Sequence, residues 1–119
     1  MQGGEKMILE QVVQALNLKE VTNCADFKRE IKDGFTSDLL SVVMGEAEEN
    51  MVWVTMQGHI NVPAVASLLG LSCVIVTNDV RVENATIERA NANKIAIFST
   101  PLSSFKATGM LYELGIGKC

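Results

Sequence analysis

A single histidine and three cysteines in 119 residues leave little material for metal or thiol chemistry. Cys24, Cys73 and Cys119 are odd in number, far apart and without a Cys-x-x-Cys pair, so neither a disulfide framework nor a zinc site is indicated. A reducing cytoplasm is the expected compartment. Neither Gly-x-Gly-x-x-Gly nor Gly-x-x-x-x-Gly-Lys-Ser/Thr occurs, which argues against an ATPase or a dinucleotide enzyme, and no cofactor is expected. The apolar runs are far shorter than a membrane span, and Met1-Gln2-Gly3-Gly4-Glu5-Lys6 is not followed by a signal-type apolar core. No membrane partner is expected. Ten Lys plus Arg against 14 Asp plus Glu give a net charge of −4, with the basic residues scattered, so the basic patch that nucleic acid requires is missing as well.

What the chain does contain is a repeated layout. Three apolar runs end in small polar residues and then enter a helical pattern: Met51-Val52-Trp53-Val54 before Thr55-Met56-Gln57-Gly58-His59, Cys73-Val74-Ile75-Val76 before Thr77-Asn78-Asp79, and Ile95-Ala96-Ile97-Phe98 before Ser99-Thr100-Pro101. Strands buried on both faces of a parallel sheet read as continuous apolar runs, and ligands sit outside their carboxyl ends. The fold class is therefore α/β, a three-layer sandwich with a mostly parallel sheet, and the polar segments should converge on one edge.

Around these runs the spacing predicts an amphipathic helix over about 5–17, carried by Met7, Ile8, Val12 and Leu16. Lys28-Arg29-Glu30-Ile31 reads as a short strand feeding a turn at Gly34. Ser37-Asp38 resembles an N-cap for a helix through Leu39–Met44 that ends near Gly45 or in the acidic run 46–50. A helix starts near Asn61, tolerates Pro63 in its first turn and stops at Gly70. Another buries Ile87 and Ala90, and a last helix runs from about Leu102 or Ser103 to Leu114, where Gly109 suggests tight packing. One domain over 7–116 is expected, with a flexible lead at 1–6 and a tail at 117–119.

The order Phe35-Thr36-Ser37-Asp38-Leu39-Leu40, Trp53-Val54-Thr55-Met56-Gln57-Gly58-His59, Ala64-Val65-Ala66-Ser67-Leu68-Leu69-Gly70-Leu71, Val74-Ile75-Val76-Thr77 and Ile97-Phe98-Ser99-Thr100 resembles the DRTGG domain family over about Met7 to Ile116. Members occur as a central domain in some phosphate acetyltransferases, as an insert between CBS domains of some inorganic pyrophosphatases, and as small stand-alone proteins. The fold is similar to the amino-terminal domain of HPr kinase/phosphorylase. The resemblance implies an α/β sandwich, homodimerisation and a regulatory rather than catalytic role, with an adenine nucleotide or phosphorylated metabolite as ligand and a separate metabolic enzyme as partner. The chain departs from the letters that name the family. Gly58-His59 stands where the Asp-Arg pair would fall and Thr77-Asn78-Asp79 where Thr-Gly-Gly would fall, and Asp79 would itself repel an anion.

The candidate ligand-binding residues are Gln57, Gly58, His59, Thr77, Asn78, Asp79, Ser99 and Thr100, with no catalytic set and no metal ligands. Each has a structural reading beside the functional one. His59 can hydrogen-bond a ligand or shuttle a proton, or serve as a structural or capping residue. Asn78-Asp79 can meet a cation or a sugar hydroxyl, or form a tight turn. Ser99, Thr100, Ser103 and Ser104 can hold an anion at a helix start, or Thr100 or Ser103 can be a plain N-cap. Three functions stay open on this evidence: a ligand-sensing regulatory module, a small transferase or hydrolase of phosphorylated metabolites with His59 as acid or base, and a structural domain that docks a partner.

Overall fold

The computed structural model describes residues 6–118. Its elements, in chain order, are α1 (Leu9–Leu16), β1 (Lys19–Glu20), β2 (Asp33–Thr36), α2 (Leu40–Glu46), β3 (Met51–Thr55), α3 (Asn61–Leu69), β4 (Cys73–Val76), α4 (Asn84–Ala92), β5 (Ile97–Ser99) and α5 (Ser104–Glu113). The strands form one five-stranded sheet in the order β1-β5-β4-β3-β2, in which β2, β3, β4 and β5 run parallel and β1 is an antiparallel edge.

Residue alternation along the central strands divides the core in two. Val52, Val54, Cys73, Ile75 and Phe98 pack with Leu9, Val12, Ala107 and Leu111 of α1 and α5. Trp53, Val74, Val76 and Ile97 face the other way, against Val43 of α2, Val62 and Ala66 of α3 and Ala90 of α4. The result is a three-layer sandwich with helices on both faces. Every residue of β4 is buried, as is β3 from Val52 on. Each such apolar side chain contributes roughly 1.5–3 kcal/mol. Among the described residues no helix is long and apolar enough to cross a membrane.

Several expectations need correction. Residues 28–31 do not form a strand; the chain here runs along the start of α1 and satisfies its first amides, Leu9 N–H donating to Arg29 O at 2.9 Å and Glu10 N–H to the preceding Phe27 O at 3.0 Å. Only an isolated bridge joins Ile8 and Glu30. Strand β2 instead occupies Asp33–Thr36, where a Gly34 turn was expected, since pairing with Met51–Val54 outweighs the weak local propensity of Asp-Gly. β5 begins at Ile97 rather than Ile95, and α1 begins at Leu9, the predicted start at residue 5 lying outside the described residues.

Gly109 does not mark close packing. A Cβ built there meets nothing within 4 Å. Gly109→Ala should stabilise the exposed face of α5 by about 1 kcal/mol, because alanine restricts the unfolded chain more and suits a helix interior better. A chemical denaturation curve of the variant with a lower midpoint than the parent would contradict this.

Candidate functional site

Parallel pairing of β3, β4 and β5 brings three buried threonines side by side at the carboxyl edge: Thr55 at the end of β3, Thr77 just after β4 and Thr100 just after β5. A buried hydroxyl needs a partner, and each of these has one. Thr55 Oγ1 donates to Asp38 Oδ1 at 2.9 Å, Thr77 Oγ1 lies 2.7 Å from Ser104 Oγ and 3.3 Å from Thr55 O, and Thr100 Oγ1 accepts from Leu102 N–H at 3.2 Å. Thr77 N–H also donates to Thr55 O at 2.9 Å. Thr77 thereby ties the end of β4 to β3 and to α5, Thr55 reaches the β2–α2 loop, and Thr100 braces its own loop.

Asp38 and Ser104 belong to this arrangement, although the sequence favours a capping role for Asp38 and offers Ser104 only as one hydroxyl of an anion site at a helix start. The N-cap of α2 is Leu39, which makes no side-chain capping bond. Ser37 Oγ accepts from Leu39 N–H at 3.2 Å, whereas Asp38 reaches across to β3 and accepts from both Thr55 Oγ1 and Met56 N–H, the latter at 2.7 Å. At α5 the capping reading holds for Ser103, whose Oγ accepts from Lys106 N–H at 3.1 Å.

Asn78 and Asp79 both adopt left-handed backbone, with φ of 58° and 53°. Asn and Asp are the side-chain-bearing residues that tolerate this region best, and glycine takes it without a Cβ penalty. Their occurrence where the resemblance places two glycines follows directly. The turn is also wired to the next loop: Asn78 N–H donates to Leu102 O at 2.9 Å and Asp79 N–H to Thr100 O at 3.0 Å. Those two amides are thus occupied by the β5–α5 loop, while both side chains stand exposed at the rim. Replacing Asn78 and Asp79 by glycine should preserve this turn and raise stability by up to about 1 kcal/mol at each position. Differential scanning calorimetry showing a clear loss for both single variants would refute the strain argument.

Gly58 is buried and closes the β3–α3 loop onto the β4–α4 loop. Its carbonyl accepts from Thr86 Oγ1 at 2.8 Å and from Glu83 N–H at 3.3 Å. His59 points outward, its side chain 68% exposed, with Nδ1 3.3 Å from Glu83 Oε2. It performs no side-chain capping of α3. Gln57 is half-buried in the same loop, and Ser99 is half-buried within β5, opposite Lys19 of β1. The structure thus gathers Gln57, Gly58, Thr77, Asn78, Asp79 and Thr100 on one edge, leaves His59 on the surface beside Glu83, and sets Ser99 inside the sheet.

Beside Asn78 and Asp79, the rim of this edge carries exposed apolar side chains. Leu39, Met56, Ile60 and Phe105 follow β2, β3 and β5 and are 64%, 43%, 38% and 88% exposed. Neither of the two described cysteines offers an activated thiol. Burial pushes the Cys73 thiol up to about 12, and burial, aided by the Glu20 carboxylate, raises Cys24 despite an opposing hydrogen bond to Thr22. No group of three or more His, Cys, Asp or Glu able to hold a metal ion occurs among the described residues.

None of the curated proteins compared matches the chain. Among solved structures, the CBS and DRTGG domains of the regulatory region of Clostridium perfringens pyrophosphatase, complexed with the activator diadenosine tetraphosphate, superpose with a TM-score of 0.72 at 19% sequence identity. The match covers 87% of this chain and 45% of that one. The five-stranded sheet flanked by helices is thus the DRTGG fold. The family model of the DRTGG domain matches residues 3–114, and with nearly the whole chain inside that match, the protein belongs to the DRTGG domain family.

Proposed function

We propose that this chain is a non-catalytic regulatory module, with residues 7–116 as its folded unit, that senses an adenine nucleotide or phosphorylated metabolite at the carboxyl edge of its sheet. It acts as a homodimer in the cytoplasm and modulates a separate metabolic enzyme. The observation that carries this reading is the match of residues 3–114 to a domain found, in its structural neighbour, within a regulatory region bound to a nucleotide activator.

The local chemistry supports recognition over turnover. The hydroxyls of Thr55, Thr77 and Thr100 and the amides of Asn78 and Asp79 are all engaged in bonds within this edge. A ligand therefore meets the outward groups: the side chains of Asn78 and Asp79, the half-buried Gln57, and the apolar rim of Met56 and Phe105. Those groups suit the base and ribose of a nucleotide better than its phosphates, since Asp79 repels an anion.

The test is a thermal-shift titration with diadenosine tetraphosphate, ATP and AMP. A ligand at one hundred times its dissociation constant stabilises the fold by roughly 2.7 kcal/mol. A rise in Tm that disappears in Phe105→Ala and in Asn78→Ala is expected. No shift with any of the three, together with capture of one partner in defined stoichiometry through Phe105, supports a partner-docking domain instead, a reading favoured by the 88% exposure of that ring.

A further inference from the structure

A cavity of about 180 Å³ lies between the edge strand β2 and α5, and none of the eight candidate residues lines it. Two glycines in its lining let the backbone approach its neighbours closely. Gly34 presents bare backbone toward Val52 and Ile116, where an added Cβ would come within 3.3 Å of Val52 Cγ1. Gly117, at φ +83°, is so close to Asp33 that a Cβ would lie 2.9 Å from its Oδ1. The walls are apolar at Val54, Leu111 and Ile116, and the polar groups are few: the Asp33 carboxylate, the Tyr112 ring, and the Thr36 and Thr108 hydroxyls, which bond each other at 2.8 Å.

This combination has a definite chemical preference. A carboxylate and an aromatic ring in the lining of a largely apolar cavity favour a cation carried on a short aliphatic stem. The Lys118 ammonium, next in sequence to Gly117 of the lining, sits 5.3 Å from the centroid of Tyr112, so this ring already meets a primary ammonium. Asp33 Oδ1 accepts from Gly34 N–H at 2.8 Å, so the carboxylate is held in place by its own backbone.

We propose that this cavity is a second ligand site, specific for a primary alkylammonium group, and that Lys118 competes with the ligand for the Tyr112 ring. The group is either a free small amine or a lysine side chain of an extended segment laid along β2, which among the described residues is an edge of the sheet.

The experiment is an amide NMR titration of the full chain with N-acetyl-lysine methylamide, against N-acetyl-norleucine methylamide as the uncharged analogue of equal stem length. Shifts at Gly34, Thr36, Thr108 and Gly117 with the lysine probe alone are expected. Asp33→Asn, which keeps the oxygen that accepts from Gly34 N–H, should weaken binding at least tenfold, while Lys118→Ala should tighten it by roughly twofold to fivefold by removing the internal competitor. Equal binding of the norleucine probe, indifference to Asp33→Asn, or shifts located elsewhere would overturn the proposal. So would no binding of either probe to the Lys118→Ala variant. A lysine-centred pentapeptide separates the two sources: much tighter binding with slowed hydrogen exchange in β2 assigns a protein segment, and equal binding assigns a free amine.

Discussion

Gly58→Ala should destabilise the domain by roughly 3 kcal/mol or more, lowering Tm by on the order of 10 °C. The added Cβ would stand 2.2 Å from Arg81 O and 2.9 Å from Val82 Cα, and both obstacles are backbone, which a rotamer change cannot move. The β4–α4 loop must retreat. Retreat in turn breaks the bond from Thr86 Oγ1 to Gly58 O and leaves a fully buried hydroxyl unsatisfied. Urea denaturation followed by far-ultraviolet circular dichroism measures the loss directly, and a midpoint within error of the parent would show that the loop yields more freely than its bonding implies.

That result bears on how this chain departs from its family. The resemblance sets Gly58-His59 where an Asp-Arg pair would fall, and Asn78-Asp79 where two glycines would fall. The two departures are not physically alike. At 78 and 79 the left-handed turn persists, so glycines can be reinstated without disturbing the backbone. At 58 the loops have closed to a distance that only glycine permits, so reinstating an aspartate forces them apart. A variant carrying the family letters at both places should therefore recover the turn and lose the loop contact.

The parts of the fold that were legible in the sequence are those whose environment is uniform along the element. Strands β3 and β4 could be bounded because burial on both faces makes them unbroken apolar runs, and α3 because Gly70, at φ +69°, closes it with a left-handed C-cap. β1 was invisible, since two residues, Lys19 and Glu20, offer no period and are strand only by pairing with Ser99 and Phe98. Asp33-Gly34 carried a turn signal that the neighbouring strand overrode. At the site, Thr77, Asn78 and Thr100 were readable as strand-end residues. The role of Asp38 was not, because an aspartate before a helix has the same local appearance whether it caps that helix or bonds the end of a strand 17 residues away. Only the parallel placement of β2 beside β3 decides between them.

Trp53→Ala should cost about 4 kcal/mol, a large share of the stability of a domain this size, and Trp53→Phe about half as much. The indole is fully buried among the side chains of α2, α3 and β4, so truncation to alanine removes its packing and leaves a cavity. Phenylalanine retains most of the contacts but not the donor. Nε1–H gives a 2.9 Å hydrogen bond to Ser37 O, and without it that carbonyl faces an apolar ring. The effect should reach the strand ends as well. Ser37 immediately precedes Asp38, whose carboxylate fixes Thr55 Oγ1 and Met56 N–H, so the bond from Trp53 is one of the restraints that aim Asp38 at β3. The two consequences can be separated by pairing Trp53→Phe with Asp38→Ala. Energies that add show the indole acting through packing alone, whereas a double variant less destabilised than the sum shows that the two side chains act on the same strand end. Circular dichroism is the readout of choice, since both Trp53 variants remove the only tryptophan fluorophore, and a cost below about 1 kcal/mol for Trp53→Ala would contradict the packing described for the helical layer over β3 and β4.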